Sequence, residues 1–239
     1  MKKTLFFSLL MISSIAMVNS DFYSQQLSFP RVKKAQINKG RAIETLLSSN
    51  GIDSKNFEIF LRAFKKEQKL ELFAKNKSDN SYKWLKTYDF CATTGVLGPK
   101  RRSGDRQIPE GFYTVNFFNP QSQYHLSFRI NYPNESDLVF ADKLNPGDNI
   151  FIHGSCITIG CIPIGDDMIE ELYLIAAKAK SNGQNIPVHI FPMKMDDMSE
   201  LTGENAEFWS WLKPGYDAFE KTKALPKVRV ASDGKYIIE

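Results

Sequence analysis

The sequence predicts an α+β fold rich in β-structure, preceded by an N-terminal helical hairpin and closed by a C-terminal appendage. Three observations predict it. Apolar residues recur at helical spacing between Gln36 and Lys66, the pattern turns to strand character from Lys69 onward, and a wide apolar face at helical spacing returns after Asp166. At 239 residues the chain can bury a proper core in one main domain with appendages.

Residues 1–20 read as a signal peptide. Lys2 and Lys3 precede an apolar run from Leu5 to Val18, and Val18-Asn19-Ser20 suits cleavage after Ser20. The run is too short for a lasting membrane span, so export to the periplasm or cell wall is expected; a retained N-terminal anchor is the alternative. Cleavage removes two of the 31 basic residues and none of the 27 acidic ones, leaving 29 against 27. That near-balance argues against a nucleic-acid partner.

Residues 21–68 read as a spacer over 21–35 and then the helical hairpin. Its first helix runs from Gln36 to Ser49 and stops at Gly51; its second is capped by Asp53, with Phe57, Phe60, Leu61 and Phe64 on one face. Lys69–Ala74 and Tyr82–Phe90 read as strands joined by a polar turn. Residues 93–113 are dense in Gly and Pro and read as loop. Strand character resumes at Gly111–Phe117 and Tyr124–Ile130, and Asn131–Asp137 reads as a polar loop. Asp166 and Asp167 open a helix carrying Ile169, Leu172, Tyr173, Ala176 and Ala179, and Asn182-Gly183 ends it. Pro187–Phe191 is a further strand, closing a catalytic domain drawn at 69–192. The remainder, 193–239, is an aromatic-rich tail packed over a core, ending in a hairpin of Val228–Val230 and Tyr236–Ile238 turned at Asp233-Gly234.

The chemistry concentrates between Asn149 and Ile164. A strand over Ile150, Phe151 and Ile152 delivers His153 at its end, and a turn containing Gly154 and Gly160 brings Cys161 back toward it. An imidazole beside a thiol raises the thiolate fraction, which is the nucleophile in cysteine catalysis. Backbone N–H groups of Gly160 and Cys161 are placed to receive an oxyanion, and a main-chain carbonyl near Gly154 to orient the imidazole. The bland alternative is a core cysteine. The cluster Lys100, Arg101, Arg102 and Arg106 reads either as a solvated loop or as a grip on substrate carboxylates. Three cysteines remain after export; if Cys161 is the nucleophile, Cys91 and Cys156 are the candidate disulfide, with two simple thiols as the alternative. His125 and His189 fall in expected strands and read as satisfied histidines. No metal, nucleotide or serine-hydrolase motif is present, so no metal or cofactor is expected.

The loop G-P-K-R-R-S-G-D-R-Q-I-P-E-G-F-Y followed by I-H-G and T-I-G-C resembles the L,D-transpeptidase (YkuD-type) catalytic domain, and most closely its YafK branch. The resemblance spans roughly residues 69–192, and the tail is similar to that branch too. It implies a β-sandwich or barrel catalytic domain. It also implies attack by Cys161 on the L-centre carbonyl of diaminopimelate in peptidoglycan stem peptides. The thioester is then resolved by an amine or by water. A peptidoglycan-linked lipoprotein is a further partner that the branch implies, its release being the hydrolytic alternative. Residue by residue, Cys161 matches the nucleophile, His153 the base, Gly154 the orienting carbonyl, and Thr158 and Gly160 the turn presenting the thiol. Gly104, Asp105, Pro109, Glu110 and Gly111 match a loop read as mainly structural, since Pro fixes φ and Asp caps N–H groups. Ile159 stands where most members carry a second histidine. Arg106, Arg129, Tyr132, Asn134, Asp137 and Thr158 are the expected substrate-binding residues, supplying one acidic and one basic partner for a zwitterionic diaminopimelate side centre. A non-enzymatic cell-wall-binding module is the rival reading.

Overall fold

A computed structural model describes residues 21–197, 199 and 202–239; the expected signal peptide lies outside the described residues. Two helices open it, α1 (Phe22–Leu27) and α2 (Pro30–Ser49). Asp21 caps α1 through the Ser24 N–H, and Pro30 starts α2 where a missing N–H is harmless. The N-terminal helical pair is therefore present, but built from residues 22–49. The expected spacer is helical, and the expected second helix is instead strand β1 (Phe57–Phe64). The apolar spacing misled because β1 is buried on both faces. Phe57, Ile59, Leu61 and Ala63 enter one core while Phe60 and Phe64 enter the clusters opposite.

The remaining elements are β2 (Lys69–Asn76), β3 (Lys83–Asp89), β4 (Gly111–Asn119), β5 (Ser127–Ile130), α3 (Glu135–Phe140), β6 (Ile150–His153), β7 (Ile162–Pro163), α4 (Asp166–Ser181), β8 (Pro187–Phe191), α5 (Ala206–Thr222), β9 (Val228–Val230) and β10 (Tyr236–Ile238). Eight strands form one curled mixed sheet, a half-barrel ordered β3-β2-β1-β8-β4-β5-β6-β7. Only β1–β8 and β6–β7 pair in parallel. Helix α4 lies between the sheet and the α1–α2 pair, so Leu174, Ile175 and Ala177 are buried beyond its expected face. On the opposite face α5 and the β9–β10 hairpin cover Phe64, Phe191 and Met195. Pro214 lies inside α5, and Gly215 is required there because a Cβ would sit 2.6 Å from the Phe112 ring. Part of the expected loop 131–137 is α3, whose N-cap Asn134 and N3 residue Asp137 form a capping box. Among the described residues no helix is long and apolar enough to cross a membrane.

Candidate active site

His153 ends β6, paired with Ser127 on β5 and Pro163 on β7. It is 1% exposed. Its Nδ1 bonds the Gly154 carbonyl, which can only accept; the proton therefore sits on Nδ1, and Nε2 carries the lone pair. Nε2 is buried without a hydrogen-bond partner. Burial holds the imidazole pKa below its ordinary value, with the Gly154 carbonyl opposing. The Tyr124 ring covers the imidazole at 4.7 Å between centroids. Gly154 must lack a side chain, since a Cβ would meet Asp166 Oδ1 at 2.6 Å and Ile169 at 2.9 Å.

Cys161 immediately precedes β7, whose register pairs Ile152 with Ile162, so the thiol emerges beside Phe151 on the face that carries His153. The Phe151 N–H donates to Sγ at 3.4 Å. Burial pushes the thiol pKa up; that N–H and the Lys100 charge pull it down. Two expectations are corrected here. No thiol–imidazole hydrogen bond exists in this structure, because Sγ faces the Phe151 N–H while Nε2 has no partner. The Gly160 and Cys161 N–H groups are not open donors either: both point at Thr158 Oγ1, at 3.2 and 2.8 Å, and that hydroxyl donates to the Cys161 carbonyl at 2.9 Å. Thr158 thus acts as a local brace of the turn.

The turn is held from three sides. Cys91 and Cys156 are joined by a disulfide, leaving Cys161 as the free thiol among the described residues. Asp166 Oδ1 accepts the Ser155 N–H at 2.7 Å. Gly160, at φ 134°, lies so near the Gln107 carbonyl that a Cβ would approach it to 2.9 Å. The Gln107 loop is itself rigid. Asp105 accepts from the N–H groups of Arg101, Arg102 and Gln107 and from Lys100 Nζ at 2.5 Å. Glu110, 0% exposed, accepts from the Gly98 N–H and Trp209 Nε1, both at 2.8 Å, and pairs with Lys65 at 2.9 Å. Both acids hold the loop together.

A cleft of about 430 Å³ opens on Cys161, lined by Lys100, Ser103, Gly104, Arg106, Asn149 and Ile159 among others. Arg106 is brought there; Arg101 turns away to Asp137, Phe140 and Phe208. A second groove of about 420 Å³ holds Arg129, Tyr132 and Asn134, and Asn149 lines both hollows. Tyr132 is anchored by its hydroxyl to the Pro146 carbonyl at 2.7 Å, and the Asn134 amide is occupied by the Phe112 carbonyl and Tyr236 hydroxyl. Asp137 does not line the groove, contrary to expectation. It is 1% exposed, caps α3 and accepts from Tyr113, and burial raises its pKa to about 6. Phe151, Asn116 and Asn149 were not singled out by sequence reasoning; only the strand period linking Phe151 to His153 hinted at the first.

A profile of the L,D-transpeptidase catalytic domain known as YkuD matches residues 59–190. The chain belongs to the YkuD L,D-transpeptidase family. The YkuD match runs from β1 into β8 and includes His153 and Cys161, while α1, α2, α5 and the β9–β10 hairpin lie outside it. YafK of Escherichia coli strain K12 is 36% identical over 186 residues, covering 75% of this chain and 73% of that protein. Among solved structures, the helical cell shape determining protein Pgp2 of Campylobacter jejuni aligns over 79% of this chain and 80% of its own, with 16% identity and a TM-score of 0.46. Bd1075 of Bdellovibrio bacteriovorus aligns over 69% and 57%, with 22% identity and a TM-score of 0.42.

Proposed function

We propose that the protein is an exported cysteine acyl-transfer enzyme of peptidoglycan stem peptides, acting through a thioester on Cys161. The observation that carries this reading is a free thiol just before β7 and, at the end of the adjacent β6, an imidazole whose lone-pair nitrogen is buried and without a hydrogen-bond partner. Both are on one face of neighbouring strands within the YkuD region. Sγ leaves the Phe151 N–H for His153 Nε2 and gives up its proton there. The thiolate attacks the L-centre carbonyl of diaminopimelate, and the tetrahedral intermediate collapses as the imidazolium returns the proton to the departing amine. A second amine then resolves the thioester as transfer, or water resolves it as hydrolysis, with His153 again taking the proton. The Cys91–Cys156 bridge supports an oxidising compartment and so the reading of residues 1–20 as a leader.

Digested sacculi treated with the purified mature chain test this. Tripeptide-ended or newly 3–3 cross-linked muropeptides are expected from the unsubstituted chain and none from Cys161→Ser, with His153→Ala at least 100-fold slower. New cross-links mean transfer; freed tripeptides or released lipoprotein mean hydrolysis. Equal processing by Cys161→Ser overturns the proposal.

A further inference from the structure

We propose that the groove beside the Cys161 cleft is a receptor for a free α-amino-acid centre of the substrate, with the carboxylate on Arg129 and the ammonium on Glu135. The inference rests on the peptide reading above and states which part of the peptide this groove reads.

Arg129 pairs with Phe117 on β4 and with Phe151 on β6. The β4–β5 register shifts between Val115 and Phe117, which leaves Asn116 as the extra residue of a bulge, a device that re-aims side chains beside active sites. Asn116 Oδ1 accepts from Arg129 Nε at 3.0 Å, and Asn149 Oδ1 accepts from Nη1 at 2.7 Å. A guanidinium only donates, so both carboxamides turn their oxygens to it and keep their NH2 groups as spare donors. Asn131 repeats the pattern, its Oδ1 taken by the Thr114 N–H at 2.7 Å. Among the described residues no carboxylate pairs with Arg129. A guanidinium held flat by two neutral amides and ringed by donors is preorganised for a carboxylate.

The same groove contains Glu135, an exposed carboxylate with no cation partner among the described residues. One uncompensated cation and one uncompensated anion in a single groove complement an ammonium–carboxylate pair better than a simple anion. Position relative to the sulfur supports the assignment. Phe151 donates its N–H to Sγ, and Arg129 is its partner on the next strand. Arg129, Phe151 and Cys161 therefore form a row across the sheet, with Arg129 two strand spacings, roughly 10 Å, from the nucleophile. A diamino diacid, attacked at one centre, carries its other centre along its side chain toward that row.

The test measures binding by calorimetry to the full chain carrying Cys161→Ala, with three synthetic stem peptides: side centre free, carboxylate amidated, and amine acetylated. Each modification is expected to weaken binding at least tenfold. Arg129→Gln should abolish discrimination against the amide yet keep that against the acetyl, Glu135→Gln should do the reverse, and Arg129→Lys should restore part of the first. Equal affinity for all three peptides, or unchanged discrimination in Arg129→Gln, overturns the proposal. Binding is read without turnover, so the two readings fail separately. Thioester formation without discrimination sinks the groove alone, whereas discrimination without a thioester sinks only the catalytic reading.

Discussion

At the scale of single residues, the resting site is an uncharged pair. Burial disfavours both the imidazolium of His153 and the thiolate of Cys161, and the sulfur faces a main-chain N–H instead of the imidazole. Alkylation of Cys161 by iodoacetamide is therefore expected to climb throughout the range from about pH 7 to pH 9. A rate already level below neutrality would instead reveal a preformed thiolate–imidazolium pair. A second histidine sets acid stability. His189 is wedged between the rings of Phe60 and Phe112, at 4.6 and 4.7 Å, and burial lowers its pKa to about 3. Its folded value lies below the unfolded one near 6.5, so the neutral form favours the fold. That stability is complete above about pH 6.5 and lost as pH falls toward 3, at up to about 1.4 kcal/mol per unit. Urea unfolding between neutral and acid pH should show a shallower loss in His189→Phe than in the parent; identical slopes would contradict this.

At the scale of elements, the β6–turn–β7 unit is short in sequence and was legible as such. His153 and Cys161 are eight residues apart, with glycines where close packing demands them. The parts of the site that close over long sequence distances were not legible. Asn116 reaches Arg129 only through a bulge, and Asn149 reaches it from just before β6. Asp137 looked available because it sits in a polar stretch, yet the capping box and Tyr113 draw it inward. Strand β1 reads as a helix in the sequence because a strand with core on both faces loses its alternation. Its Arg62 lies buried, paired with Glu71 and Glu220. Helix α5 is not legible in the sequence because two poor helix formers, Pro214 and Gly215, fall inside it. The disulfide spans 65 residues to brace the turn. Replacing both Cys91 and Cys156 by serine should lower unfolding free energy by about 2–4 kcal/mol, seen as an earlier denaturant midpoint, and raise the exchange rates of amides in 154–161. An unchanged midpoint and unchanged exchange would show that the bridge does not brace the turn.

At the scale of the whole molecule, helix α5, which lies outside the YkuD match, helps to hold the site's floor. Glu110 gathers Lys65 of the β1–β2 turn, the Gly98 loop and Trp209 of α5 into one buried polar network, and the loop so fixed abuts Gly160. Glu110→Ala strands a buried lysine and should lower unfolding free energy by about 3–5 kcal/mol. Trp209→Phe leaves one carboxylate oxygen unpaired and should lower it by about 1–3 kcal/mol, both read by calorimetry. Losses below about half a kcal/mol in both would show the network to be ornamental. All of this structure serves, in our account, to present one sulfur to one carbonyl. The most direct test is intact-mass measurement of the purified chain after brief incubation with diaminopimelate stem peptides and acid quenching. A mass increment equal to the acyl peptide is expected, mapped to Cys161, released by hydroxylamine and absent from Cys161→Ala. Peptides processed with no adduct on Cys161, or processed equally by Cys161→Ala, would contradict it.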